Sequence, residues 1–280
     1  LQGAGRPFAV VTLRAGAGEQ APLFLPHAVG GTVDLYRDLV AALPATLPVY
    51  GLQAAALDGR TPPDWTVAAA AGRCAAALRA VQPAGPYRLA GSSFGGMLAY
   101  EMARQLVAAG ERVALLALLD TPAMEELPRE LADMADIAAY VAGLLGRPLA
   151  AAGLRGLPRE AQIGRLIEHC QDLLPAGTDA AELDLHLRVF EANTAAMRGY
   201  RIEPCAEPAR ILFCRALARD AHTPAHPERP WQARLGTRLE VVEVAGDHLS
   251  MLRPPHVAAV AALLEHWLEA FPAPTGLRPA

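Results

Sequence analysis

Several things are scarce in this sequence, and each shortage narrows its function. There are only four cysteines, Cys74, Cys170, Cys205 and Cys214, and no C-x-x-C pair. That argues against a zinc ribbon or a disulfide framework and makes reduced, mostly buried thiols the expectation. Lys and Arg are dispersed in a chain of net charge -4, so no basic stripe exists to follow a phosphate backbone, and nucleic acid is not an expected partner. Long apolar runs are missing too. The longest, Val113–Leu119, is too short to cross a bilayer and of the right length for a buried strand. The first residues, Leu1-Gln2-Gly3-Ala4-Gly5, carry neither an initiator Met nor the charged and apolar regions of a signal peptide. The chain therefore reads as a piece of a longer protein working in the cytoplasm, monomeric when excised.

What is present is a 280-residue chain that is 52% hydrophobic, enough for one sizeable core and one insertion. It is organised around Leu89-Ala90-Gly91-Ser92-Ser93-Phe94-Gly95-Gly96, a turn between a short apolar run and an amphipathic helix. Gly91 and Gly95 flank Ser93 in a G-x-S-x-G frame, because a serine on so sharp a strand-to-helix turn tolerates only tiny neighbours two positions away. Ser92 has Ala90 and Phe94 at those positions, so the frame selects Ser93 as a nucleophile.

Around this turn, strands and helices alternate. Strands are expected at 8–13, 22–25, 49–53, 87–90, 113–119, 210–214 and 239–244, with helices at 65–81, capped by Asp64, and at 257–271. Such a rhythm argues a parallel sheet covered on both faces, with ligands beyond the carboxyl ends of the strands. Val29, Ser93 and Asp120 all fall at such ends. After the second strand, Pro26-His27-Ala28-Val29-Gly30-Gly31-Thr32 forms a glycine-containing bend whose backbone N–H groups are free to face a cavity, as an oxyanion hole requires. From 123 to 208 the rhythm breaks into helices near 131–145, 161–174 and 181–200, which reads as a lid inserted into a single domain spanning 1–280. The Pro-rich stretch 272–280 reads as a disordered tail.

A nucleophilic serine needs a base. Of eight histidines, His169, His186 and His266 lie in expected helices, and His222 and His226 are separated by Pro224, which spoils metal-ligand spacing on a helix. His248 follows a strand directly in a Gly-containing loop late in the chain, as the base does in the order Ser, Asp, His. The orienting acid is Asp120 or Asp220. Asp120 is favoured because it ends a strand directly, whereas Asp220 sits in a loop from Arg219 to Pro230; Asp247 is too close in sequence to His248 to reach its ring.

Together these residues resemble the type I thioesterase domains that end nonribosomal peptide synthetases and some hybrid polyketide synthases. The likeness is densest in 22–31, in Tyr50-Gly51-Leu52-Gln53 with Leu57-Asp58-Gly59, in 85–96, and in Gly246-Asp247-His248 with Met251-Leu252. It covers nearly the whole chain. It implies an α/β-hydrolase fold, a Ser93-His248-Asp120 triad, and oxyanion donors in the N–H groups of Val29 and Phe94. It implies no bound cofactor or metal, and a substrate brought on the phosphopantetheine of an upstream peptidyl or acyl carrier domain. The peptidyl thioester would then be released by macrocyclisation, with or without oligomerisation, or by hydrolysis. The chain departs from the family at Ser92, where an aromatic residue or His often precedes the nucleophile, and at Ala28, often Pro. A stand-alone type II editing thioesterase and a general serine esterase are the competing readings. The first would begin with its own Met and carry a small lid. The second would turn over small oxygen esters without a carrier.

Overall fold

The protein was analysed as a computed structural model, which describes residues 9–17, 20–123, 131, 133–175, 177–205, 208, 210–219 and 224–270. Seven strands form one sheet: β1 (Val10–Arg14), β2 (Leu23–Pro26), β3 (Val49–Leu52), β4 (Tyr87–Ser92), β5 (Val113–Leu119), β6 (Ile211–Ala216) and β7 (Leu239–Val244). Their order across the sheet is β1-β3-β2-β4-β5-β6-β7. Only β1 runs antiparallel, against β3; the other five pairings are parallel. Strands buried on both faces must be short and apolar throughout, and β2, β3 and β4 are buried at every position. Alternate side chains feed two cores. Phe24, Leu89 and Phe213 join α2 (Val67–Arg79), α3 (Phe94–Ala108) and α7 (Arg229–Leu235) on one face. Leu23, Leu25 and Leu212 join α1 (Arg37–Ala42) and α8 (Val257–Ala270) on the other. This is the mostly parallel, doubly covered sheet of the α/β-hydrolase fold.

Two local expectations need correcting. Asp64 does not cap the helix after β3. That helix starts at Val67, where the Thr66 hydroxyl accepts from the Ala69 N–H at 3.1 Å, while Asp64 pairs with Arg73 at 2.8 Å. Thr beside the first helical residue is the better placed acceptor for an orphan N–H of the first turn. The stretch from Arg219 to Pro230 is not loop throughout, because α7 begins at Arg229. Pro230 falls in its first turn, where a missing N–H costs nothing. The expected start of β1 at Phe8 and the expected tail at 272–280 lie outside the described residues.

Among the described residues of 123–208 there are three α-helices, α4 (Met134–Leu144), α5 (Arg159–Cys170) and α6 (Ala180–Gly199). They share an apolar cluster of their own, including Ile137, Ile163, Leu166, Leu187 and Phe190. Arg159 on α5 reaches Asp184 and Glu191 on α6 at 2.5 and 2.8 Å. Partly exposed pairs of this kind add little stability and chiefly set which faces meet. The two halves of α6 serve different cores: Leu183, Leu187 and Phe190 pack with α4 and α5, whereas Ala196 and Met197 pack into the core above the sheet.

Candidate active site

β4 ends at Ser92 and α3 begins at Phe94, so the whole reversal is carried by Ser93, at φ 57° and ψ -126°. A non-glycine residue at positive φ stores about 1–3 kcal/mol, and such strain gathers at functional sites. The surroundings hold it there. The Ser93 N–H donates to the Leu119 carbonyl of β5 at 3.0 Å, and the Ser93 carbonyl accepts from the Gly96 N–H at 3.0 Å. The glycine frame has a direct steric cause. A Cβ on Gly91 would lie 2.1 Å from the Gly95 carbonyl oxygen, and one on Gly95 would lie 2.5 Å from that of Pro26. Gly96 is equally constrained, since its Cβ would fall 1.8 Å from Thr121 Oγ1. Ser92 is buried, and its N–H donates to the Tyr36 hydroxyl at 2.9 Å, which donates to the Pro26 carbonyl at 2.8 Å.

β5 lies beside β4 and is followed by Asp120, among the described residues the other non-glycine at positive φ, here 44°. Its carboxylate is 1% exposed and accepts on every side. His248 Nδ1 lies 2.8 Å from Oδ2. The Arg219 guanidinium donates to both oxygens at 2.8 and 2.9 Å, and the Ala216 N–H donates to Oδ1 at 3.0 Å. Burial pushes the Asp120 carboxyl upward, but the bonds from His248, Arg219 and Ala216 outweigh it and hold the group below the usual carboxylate range. An ionised carboxylate only accepts, so Nδ1 of His248 carries the proton and Nε2 is left as the basic nitrogen. Asp247 is used locally instead, accepting from the Leu249 and Ser250 N–H groups at 3.0 and 2.8 Å. No hydrogen bond joins the Ser93 hydroxyl to His248 among the described residues; such bonds commonly tighten only around substrate. Asp220 lies outside the described residues.

Arg219 carries no signature in the sequence. It reaches Asp120 only because β5 and β6 are neighbours, with the Asp120 N–H donating to the Cys214 carbonyl at 2.8 Å. Its loss has a predictable sign. A carboxyl whose folded pKa lies below its unfolded value stabilises the fold above the unfolded value, and that contribution is lost as pH falls through the folded one. Arg219→Met weakens the depression, so its acid-unfolding midpoint, followed by circular dichroism, should move to higher pH. Stability at neutral pH should drop by about 1.5–3 kcal/mol, the worth of hydrogen bonds to a charged group. An unchanged acid midpoint would show that Arg219 does not set the state of Asp120.

The bend after β2 completes the site. His27 is buried and its Nδ1 lies 2.8 Å from the Ala28 carbonyl; burial pushes its pKa down to about 4, so the ring is neutral. The same carbonyl accepts from the Gly31 N–H at 2.9 Å. The His27 ring also contacts the Phe94 ring, with centroids 5.8 Å apart. Among the described residues, the N–H groups of Val29 and Phe94 have no backbone acceptor. For Phe94, at the first turn of α3, this is the ordinary condition of a helix start. Among the described residues no group of three His, Cys, Asp or Glu is placed to hold a metal, and no helix is long and apolar enough to cross a membrane.

A protein-family model for the thioesterase domain matches residues 21–268. The chain is 29% identical over 259 residues to a dimodular nonribosomal peptide synthase of Bacillus subtilis (strain 168), covering 90% of this chain and 10% of that one. It thus spans about a tenth of that relative's length. Among solved structures it resembles a four-domain nonribosomal peptide synthetase bound to AMP and glycine, with a TM-score of 0.85 and 29% identity over 96% of this chain and 20% of that one. It also resembles the Vlm2 thioesterase domain carrying genetically encoded 2,3-diaminopropionic acid and bound with a dodecadepsipeptide. There the TM-score is 0.65, with 25% identity over 96% of this chain and 99% of that one.

Proposed function

Because the chain belongs to the thioesterase-domain family, we propose that it releases an acyl or peptidyl chain from the phosphopantetheine thioester of an upstream carrier domain, through an ester on Ser93. The observation that carries this is the buried Asp120 carboxylate on His248 Nδ1 at 2.8 Å, at the end of the strand to which the strained Ser93 is tied. In the first step Ser93 Oγ attacks the thioester carbon while His248 Nε2 takes the hydroxyl proton. The N–H groups of Val29 and Phe94 hold the oxyanion. The carbon–sulfur bond then breaks, and the proton passes from Nε2 to the departing thiol. In the second step Nε2 deprotonates water or a nucleophile of the chain itself as it bonds to the ester carbon, the carbon–Oγ bond breaks, and Nε2 returns the proton to Ser93 Oγ. Asp120 keeps the ring in the Nδ1–H tautomer and stabilises the imidazolium that forms in each step.

The α4 to α6 segment acts as a lid and biases release toward cyclisation, with or without prior oligomerisation. Water at about 55 M must be outcompeted by an effective molarity that only an enclosed chain reaches. The cluster shared by the three helices takes in Val29 of the bend after β2, and that placement supports such enclosure. A depsipeptide as bound to the Vlm2 domain is one chain of suitable length.

The test is mass spectrometry of products from synthetic peptidyl N-acetylcysteamine thioesters of graded length, each bearing a terminal amine or hydroxyl. Cyclic or oligomeric products should appear above a threshold length. Linear acid alone from every chain long enough to close would leave plain hydrolytic release. Failure to turn over any thioester, with rapid cleavage of small oxygen esters, would replace the reading by a serine esterase.

A further inference from the structure

Val29 is held by two elements distant in sequence. Its side chain packs at the seam between the core above the sheet and the α4–α6 cluster. Its carbonyl accepts from Asn193 Nδ2 at 2.8 Å, a bond spanning 164 residues, and Asn193 is only 3% exposed. A carbonyl can only accept, so the orientation of the Asn193 amide is fixed by the chemistry. Two residues on, α6 again sits on the bend: a Cβ on Gly31, at φ +86°, would fall 2.6 Å from Val189 Cγ1.

Planarity makes these contacts consequential. In a trans peptide the C=O and N–H point in opposite directions, so a carbonyl held in place aims the N–H of the next residue. The Ala28 carbonyl, held by the His27 ring and the Gly31 N–H, thereby aims the Val29 N–H. Asn193 holds the second peptide plane of Val29, the one it shares with Gly30, so both planes flanking Val29 are anchored. Without Asn193 the Val29–Gly30 plane is free to rotate, and the adjoining Ala28–Val29 plane loses one of the constraints that keep it from following.

We propose that Asn193 is a positioning residue through which the helical insertion sets the oxyanion donor at Val29, so that correct seating of α6 and a formed oxyanion hole are one event. Acyl transfer is thereby coupled to the placement of the element that covers the acyl chain. This rests on the reading of Val29 as an oxyanion donor, and the experiment separates the two.

The assay is the single-turnover rate of Ser93 acylation in the full chain, with a short acyl N-acetylcysteamine thioester and the dithioester in which C=S replaces C=O. Oxyanion donors favour oxygen over the larger, weakly accepting sulfur, so the oxo-to-thiono rate ratio reports on the hole and not on overall fold. Asn193→Leu and Asn193→Ser should each slow acylation by the thioester about 10- to 100-fold, somewhat less than the 10²–10³ of deleting a donor outright, with the ratio falling in parallel and KM little changed. Thr194→Val, one residue along α6 with a buried hydroxyl that has no partner among the described residues, should leave both rate and ratio unchanged. Replacing the Ala28–Val29 amide by an ester removes the Val29 N–H, weakens the Ala28 carbonyl as an acceptor, and should lower rate and ratio at least as far. If that ester lowers both while the folded Asn193 variants keep the wild-type ratio, the role of Asn193 is refuted and the donor reading stands. If the ester leaves both unchanged, Val29 is no donor and both ideas fall together. Should Asn193→Leu fail to fold, the ratio in Asn193→Ser decides.

Discussion

Replacing Ser93 by alanine is expected to lower thioester turnover by on the order of 10⁴-fold or more, the loss that follows removal of a triad nucleophile, while Ser92→Ala stays within about tenfold. The two serines differ by one position and are chemically alike, so the contrast isolates what the backbone does. Ser93 alone occupies the turn, at φ 57°, between the end of β4 and the start of α3. Ser92 is the last residue of β4, buried, with its N–H engaged by Tyr36. The Ser92 change therefore costs some packing and no catalytic group. Intact-protein mass spectrometry with a thioester-directed inhibitor provides the check. Labelling of Ser93→Ala together with loss of labelling in Ser92→Ala would reverse the assignment.

Asp120→Asn is expected to have the second largest effect, again on the order of 10⁴-fold in kcat, the size seen when the acid of a serine protease triad is made neutral. Asn is nearly isosteric and tolerates positive φ, so the turn at 44° should survive. What changes is the proton on His248. An Asn amide group aimed at Nδ1 donates, which drives the ring to the Nε2–H tautomer and removes the basic nitrogen that the proposed mechanism requires. The Arg219 guanidinium would lose its counter-charge in the same variant, so thermal stability should fall as well. The pH–rate profile separates the effects. A purely structural loss would lower the rate at all pH values alike, whereas a wrong tautomer should recover partly at high pH, where hydroxide replaces the missing base. Activity within tenfold of wild type would mean that another acid, Asp220 first among them, orients His248.

Much of the fold was legible because the signals are local. Val113–Leu119 is a short apolar run and Leu239–Val244 a stretch rich in valine, and the strands have those bounds. The three helices of the insertion show 3.6-residue periodicity, which survives whatever they pack against. Helix ends were less legible. Asp64 and Thr66 are both good caps, and the choice between them turned on Arg73 lying in reach of Asp64. The helix at Arg229–Leu235 was hidden by Pro230, which breaks a helix anywhere but in its first turn.

The sequence by itself singled out Ser93 and His248 as the candidate nucleophile and base. The G-x-S-x-G frame is a steric rule acting over five residues, and His248 is marked by its position in a loop directly after a strand. The tertiary structure decided everything that depends on strand neighbours. The carboxylate on His248 comes from 128 residues away, and Asp120 reaches it because the sheet order β5-β6-β7 leaves only one strand between the ends of β5 and β7. The pairing of β5 with β6 also brings in Arg219, 99 residues from the carboxylate it grips, and the pairing of β4 with β5 places Thr121 where only Gly96 fits. The contact of Asn193 with Val29 depends in turn on how α6 crosses the bend after β2. Local patterns specify backbone shape, whose energetics involve near neighbours in the chain. Buried charges and backbone orientation at a site are settled by partners that only the folded sheet brings within about 3 Å.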